Sequence, residues 1–136
     1  MVNFYFFWLA KTQGDYMNKG DDIEDRLIDF AVRVIRVCKS LPNDTIGKHI
    51  RGQLVRSGTS PAPNYGEARG AESGKDFIHK LKIALKELNE SRIWLKMCIK
   101  AELMKEEKLD LLLDECDQLC RILSASIQTT KANLKS

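Results

Sequence analysis

Between residues 21 and 41 the apolar side chains Ile23, Leu27, Phe30, Ala31, Val34, Cys38 and Leu41 recur at steps of three and four. That spacing puts them on one face of an α-helix. Asp21, Asp22, Glu24 and Asp25 crowd the start of this helix, where the macrodipole favours negative charge. Pro42 and Asn43 end it, and Asn43 or Asp44 can cap a second helix that carries Ile46, Ile50 and Leu54 on one stripe. The spacing predicts a third helix over about residues 73–101 with Phe77, Leu81, Ala84, Leu88, Leu95 and Cys98 inward. Ser73 is its natural cap, with Asp76 at the capping-box position. The fourth covers about residues 105–131, with Leu109, Leu112, Leu113, Cys116, Leu119, Leu123 and Ile127 inward. No stretch shows the alternation of a strand.

The run Ser60-Pro61-Ala62-Pro63-Asn64 interrupts the second helix. Two prolines break a helix interior, because each removes a donor and clashes with the preceding turn. They are harmless in a first turn, whose N–H groups lack acceptors anyway. If Ser60 caps a new segment, Pro61 takes the first position and Pro63 the third. Pro63 has no N–H, so the Ser60 hydroxyl can satisfy only Ala62, which makes a weak cap. The second helix is therefore predicted to be kinked or restarted at Ser60, with a short segment over 65–70. Four amphipathic stripes on short connections predict an all-α fold, an antiparallel up-down-up-down four-helix bundle over residues 21–133.

Residues 1–20 read as an N-terminal appendage. Residues 2–10 (VNFYFFWLA) are apolar, but a membrane-spanning helix needs about 20 such residues, and a secretory signal needs a basic start and a small-residue cleavage site. Met17 stands just before the first periodic segment, so residues 1–16 are expected to be an addition or to follow from a start assigned too early. The alternative, a surface anchor, lacks the basic residues that hold an anionic membrane.

Composition narrows the class without naming a reaction. The chain has 136 residues, 43% hydrophobic and 30% charged, which fits a single globular domain. Its 22 Lys+Arg against 19 Asp+Glu leave a formal +3, so any basic surface must be local. The 4 cysteines, at positions 38, 98, 116 and 120, have neither disulfide-framework nor zinc-site spacing, which implies reduced thiols and a cytoplasmic location.

The strongest candidate chemistry lies on the third predicted helix. Lys75, Lys82, Lys86, Lys96 and Lys100 fall within about 80° of one another on a helical projection. Such a row suits phosphates, and Arg51, Arg56 and Arg92 can supplement it with forked donors. The plain alternative is a solvated lysine face paired with Glu87, Glu90 and the seven acids between residues 102 and 117. Aromatic support for base stacking is thin, with Tyr65 the one exposed-looking candidate. On the same helix Ile83, Ile93, Trp94 and Met97 project away from the core stripe, and Ile28, Val32 and Ile35 widen that of the first helix. Two such clusters point to a subunit interface.

Other constellations carry less. Cys116 and Cys120 share a helical face but lie on an apolar stripe, so burial is the better reading. His49 and His79 lack the His/Glu company of a helical zinc site. Asn64 and Glu67 flank the kink, yet a general base there has no nucleophile or metal to serve; their expected work is to hold the broken backbone. The glycines match neither Rossmann nor P-loop spacing. No catalytic residue, metal or cofactor is therefore expected.

The stretch Arg56-Ser57-Gly58-Thr59-Ser60, then Asn64-Tyr65, Glu67-Ala68, Arg69-Gly70-Ala71-Glu72-Ser73, Asp76-Phe77 and residues 80–87 (LKIALKE preceded by Lys80) resembles the 23S ribosomal RNA intervening-sequence protein family, the four-helix-bundle proteins. The likeness spans residues 22 to about 130. It implies an antiparallel bundle that assembles into a barrel-shaped homopentamer, with no established catalytic activity. The accessory proteins of diversity-generating retroelements are similar, and those are thought to engage a reverse transcriptase and nucleic acid. Pro61, Pro63 and Gly66 depart from the family pattern, and Gly66 replaces a position often basic there. Ser60, Asn64, Tyr65 and Glu67 are the family motif at the kink. Together these readings predict a non-enzymatic homo-oligomeric scaffold or accessory protein that binds RNA or DNA phosphates with low specificity. The alternative is an interaction module that recruits a partner such as a polymerase. Neither reading involves a membrane.

Overall fold

A computed structural model describes residues 15–136, and the expectations for residues 1–14 lie outside the described residues. The elements are α1 (Asp15–Ser40), α2 (Thr45–Thr59), α3 (Pro61–Arg69), α4 (Gly74–Lys100) and α5 (Glu106–Lys135). Among the described residues no strand occurs. The helices form a bundle in which α1 and α4 each pack against the α2–α3 unit and against α5, and so stand on opposite sides.

The inward faces follow the apolar periodicity. Leu27, Phe30 and Val34 of α1, Leu81, Leu88 and Leu95 of α4, and Leu109, Leu119 and Leu123 of α5 are fully buried. Leu113 reaches only the margin of this core. α1 begins before the acidic cluster expected to open it and runs through Gly20. Once a helix is nucleated each further residue adds a hydrogen bond, and one glycine costs only about 1 kcal/mol. α5 outruns its apolar stripe in the same way.

The stripe assigned to α2 needs correction. Ile50 and Leu54 are buried, but Ile46 is 64% exposed. The inward place in the first turn belongs to Gly47, where an added Cβ would lie 1.8 Å from the Pro42 carbonyl oxygen. The turn from α1 can close that tightly only over a residue without a side chain. Asp44 caps α2 by accepting from the Gly47 N–H at 2.8 Å, and Ser73 caps α4 by accepting from the Asp76 N–H at 3.1 Å, so both caps supply acceptors to orphan N–H donors as expected.

At the kink the break occurs where the prolines predict it, but Ser60 does not act as a side-chain cap. Its backbone is helical (φ −73°, ψ −36°). Its N–H donates to the Arg56 carbonyl and its carbonyl accepts from the Asn64 N–H, both at 3.2 Å. Helical bonding thus passes through Ser60, and the discontinuity is the pair of N–H groups that Pro61 and Pro63 lack. The Ser60 hydroxyl accepts from the Asn64 side-chain amide at 3.0 Å instead.

Candidate phosphate-binding and self-association faces

The outer face of α4 carries Lys75, Lys82, Lys86, Lys96 and Lys100, all exposed. At 1.5 Å per residue the row is about 38 Å long. Among the described residues none of the five takes part in an ion pair. Four of the nine carboxylates that the plain reading assigned to them are occupied elsewhere. Glu87 accepts from Arg56 Nη1 at 2.9 Å, and Glu90 accepts from Arg56 Nη2 and, at 3.1 Å, from Trp94 Nε1. Glu115 takes a two-pronged bond from Arg26, and Asp117 faces Arg92 at 3.7 Å.

The three arginines expected to reinforce the row do not join it. Arg51 donates to the carbonyls of Cys38, Leu41 and Pro42 at 3.2, 3.3 and 3.0 Å, and so closes the C-terminal end of α1, whose last carbonyls need donors. Arg56 ties α2 to α4, and Arg92 ties α4 to α5 with its Nε buried and without a hydrogen-bond partner. Their guanidinium groups stitch helices together, a role that residue type and helical angle do not reveal.

The apolar clusters are partly confirmed as exposed. Ile28 (45%), Val32 (37%) and Ile35 (36%) stand out on α1, and Ile93 (51%) and Met97 (43%) on α4. Ile83 is half-buried. Trp94 is corrected as well: it packs against the core, meets His49 edge-on with ring centroids 5.9 Å apart, and donates to Glu90.

The kink motif is structural in its contacts. Asn64 bonds back to Ser60, while Glu67 forms an ion pair with Lys80 at 3.2 Å, so Asn64 and Glu67 serve different partners. Tyr65 is 3% exposed and offers no stacking surface. It lines a cavity of about 350 Å³ with Asp22, Arg26, Phe77, Ile122 and Thr130. Sequence reasoning missed this cavity, because its walls come from four elements that no local pattern connects.

Cys116 is buried and its thiol donates to the Leu88 carbonyl at 3.2 Å. The thiol–thiol hydrogen bond with Cys120, then burial, push the Cys116 pKa up, and the same bond holds Cys120 below the usual thiol range. Among the described residues no group of three or more His, Cys, Asp or Glu could hold a metal ion. Burial pushes the Cys38 thiol from 9.0 up to about 11. A pKa raised on folding contributes stability that is complete below pH 9 and is lost as pH rises through about 11. Thermal midpoints measured between pH 8 and 11 are therefore expected to fall more steeply for the native chain than for Cys38→Ala. Equal slopes would remove this thiol from the alkaline limit.

A helical bundle with a split second arm and, among the described residues, a lysine row outside any ion pair defines the class as a helical-bundle protein. The match to known families agrees. The model of the 23S rRNA-intervening sequence protein family matches residues 22–125, and the chain belongs to that family. It is also similar to a solved protein of unknown function from the S23 ribosomal protein family of Bacteroides thetaiotaomicron. The identity is 36%, covering 77% of this chain and 97% of that one, with a TM-score of 0.73. No curated protein matches the chain. Among the described residues no helix is long and apolar enough to cross a membrane.

Proposed function

We propose that this is a non-enzymatic, cytoplasmic, homo-oligomeric scaffold or accessory protein that binds RNA or DNA phosphates through α4 with little sequence choice. The observation that carries the reading is the row of five exposed lysines that form no ion pair among the described residues, beside Glu87 and Glu90, which Arg56 already engages. An unneutralised row attracts phosphates and releases their counterions. Contacts to the backbone carry no sequence information. The antiparallel up-down-up-down arrangement is supported by contacts that run in opposite directions on α4 and α5: Gly74 approaches Leu134, Leu88 meets Cys116, and Arg92 meets Asp117. Self-association is supported by the exposed apolar side chains on α1 and α4, and the family resemblance favours a pentamer.

The test is titration of labelled structured RNA against nuclease-treated protein at several salt concentrations. Binding is expected to weaken steeply with salt. Changing Lys82, Lys86 and Lys96 together to Glu should lower the log–log salt slope by about 3, since each phosphate contact contributes about 0.9. Unchanged affinity and slope would overturn the reading. A second reading, a module that recruits a protein such as a polymerase, draws on Ile46 and Leu111, exposed by 64% and 77% outside the α1 and α4 clusters. A protein partner retained after nuclease treatment, with no RNA bound, would favour it.

A further inference from the structure

We propose that Cys120 is a modification site, a thiolate at the packing seam of α4 and α5 that a hydroperoxide oxidises to a sulfenic acid, which Arg92 then holds. The inference is independent of the phosphate row and of self-association, and it uses groups to which neither reading gives work.

Three observations carry it. First, Cys120 alone among the four cysteines is partly exposed, whereas Cys38, Cys98 and Cys116 are buried. A thiol reacts as its anion, and only where a reagent can reach it. Second, the groups around the Cys120 sulfur suit an anion. Cys116 stands four residues earlier on the same face of α5, and its one S–H has two acceptors in reach, the Leu88 carbonyl at 3.2 Å and the Cys120 sulfur. A charged acceptor forms the stronger bond, so ionised Cys120 draws that S–H to itself. The neutral Cys120 thiol donates to the side-chain oxygen of Asn89 at 3.8 Å; once the thiol is ionised, the amide can turn over and donate in return. The hydrogen bond with Cys116 lowers the Cys120 pKa against the opposing effect of burial, and the charge of Arg92 lowers it further.

Third, the Nε of Arg92 is buried and has no hydrogen-bond partner, while its Nη1 faces Asp117, between the two cysteines in sequence, at 3.7 Å. A buried donor without an acceptor is rare and costly. An oxygen added to Cys120 supplies an acceptor at this seam. In the reaction the thiolate sulfur attacks one oxygen of the hydroperoxide, so that an S–O bond forms and the O–O bond breaks. The leaving oxygen takes up the proton that the thiol released, and thiol plus hydroperoxide become sulfenic acid plus alcohol; sulfur loses the electron pair that the peroxide gains. Cys116 does not close a disulfide on the product. Positions four apart on a helix hold their Cβ atoms about 5–6 Å apart, whereas a disulfide needs about 3.5–4.5 Å. The sulfenic acid therefore persists until a small thiol condenses with it.

The experiment treats the native full-length protein with hydrogen peroxide in the presence of dimedone, which traps sulfenic acids, and maps the adducts by mass spectrometry. Cys120 is expected to carry about tenfold more label than Cys38, Cys98 or Cys116. Equal labelling, no labelling, or a Cys116–Cys120 disulfide in its place overturns the proposal. The positioning residues are read from the pH profile of Cys120 alkylation by iodoacetamide, whose midpoint is expected below the ordinary thiol value of about 8.5. Arg92→Gln should raise the midpoint and Arg92→Lys, which keeps the charge, should restore it. Cys116→Ala should raise it too, and Cys116→Ser, which keeps a donor, should bring it back. A midpoint indifferent to both residues overturns their part in activating the thiol. Dimedone added after the peroxide is removed should find less sulfenic acid in Arg92→Lys than in the native chain, and equal persistence overturns the assignment of Nε. Labelling of the native chain needs no substitution, so it decides the central claim even where a variant fails to fold.

Discussion

Gly47→Ala is expected to destabilise the protein by about 3 kcal/mol, at the upper end of overpacking costs, although alanine is the better helix former by about 1 kcal/mol. The added Cβ would lie 1.8 Å from the Pro42 carbonyl oxygen and 2.8 Å from its carbon. These are backbone atoms, so no side-chain rotation relieves the clash. The turn is also held from both sides: Asp44 accepts from the Gly47 N–H, and Arg51 donates to the same Pro42 carbonyl at 3.0 Å. Movement that makes room for the methyl must break a cap or that bond. Gly52 is the internal control. It sits in the same helix with nothing within 4 Å of an added Cβ, so Gly52→Ala should stabilise by about 0.5–1 kcal/mol. Urea midpoints of the two variants are expected to move in opposite directions. A Gly47→Ala midpoint at or above the native value would show that the turn is looser than this packing implies.

The same glycine shows where the sequence is legible and where it is not. α1, α4 and α5 carry long apolar stripes, and their core residues follow from periodicity because every inward position has a side chain to announce it. In α2 the inward position of the first turn is occupied by hydrogen alone, so the eye passes to Ile46, which faces out. The kink is legible in Pro61 and Pro63, whose chemistry is local. The backbone state of Ser60 is not, since it depends on continuing bonds to Arg56 and Asn64. The lysine row is legible because helical angle alone decides exposure there. The fates of Arg51, Arg56 and Arg92 are hidden, as their partners are backbone carbonyls or acids on other helices. Trp94 sits at the flank of its helix, where a few degrees decide between surface and core, and the neighbouring His49 and Glu90 draw it in.

A double-mutant cycle between Gly58 and Val34 is expected to give a coupling of about 1 kcal/mol. An added Cβ at Gly58 would lie 2.6 and 2.8 Å from the two Val34 methyl carbons and 2.9 Å from its Cβ, and Val34 is fully buried. Gly58→Ala alone should therefore cost about 2 kcal/mol through overpacking, and Val34→Ala alone a similar amount through the cavity it leaves. Together the new methyl enters the space that the valine methyls vacate, so the double variant should be more stable than the sum of the singles. Relief is only partial, because the Cβ of residue 34 remains. Additivity within about 0.5 kcal/mol would mean that the two sites do not share this contact. The contact bears on function through position. Gly58 sets how closely α2 approaches α1, and the adjacent Ser57 hydroxyl accepts from Ser91 of α4 at 2.9 Å in the buried centre. α2 thus bears on the separation of α1 and α4, the two helices whose outer faces carry the exposed apolar side chains. A spacing variant that stays folded should consequently weaken assembly without touching any residue on either face.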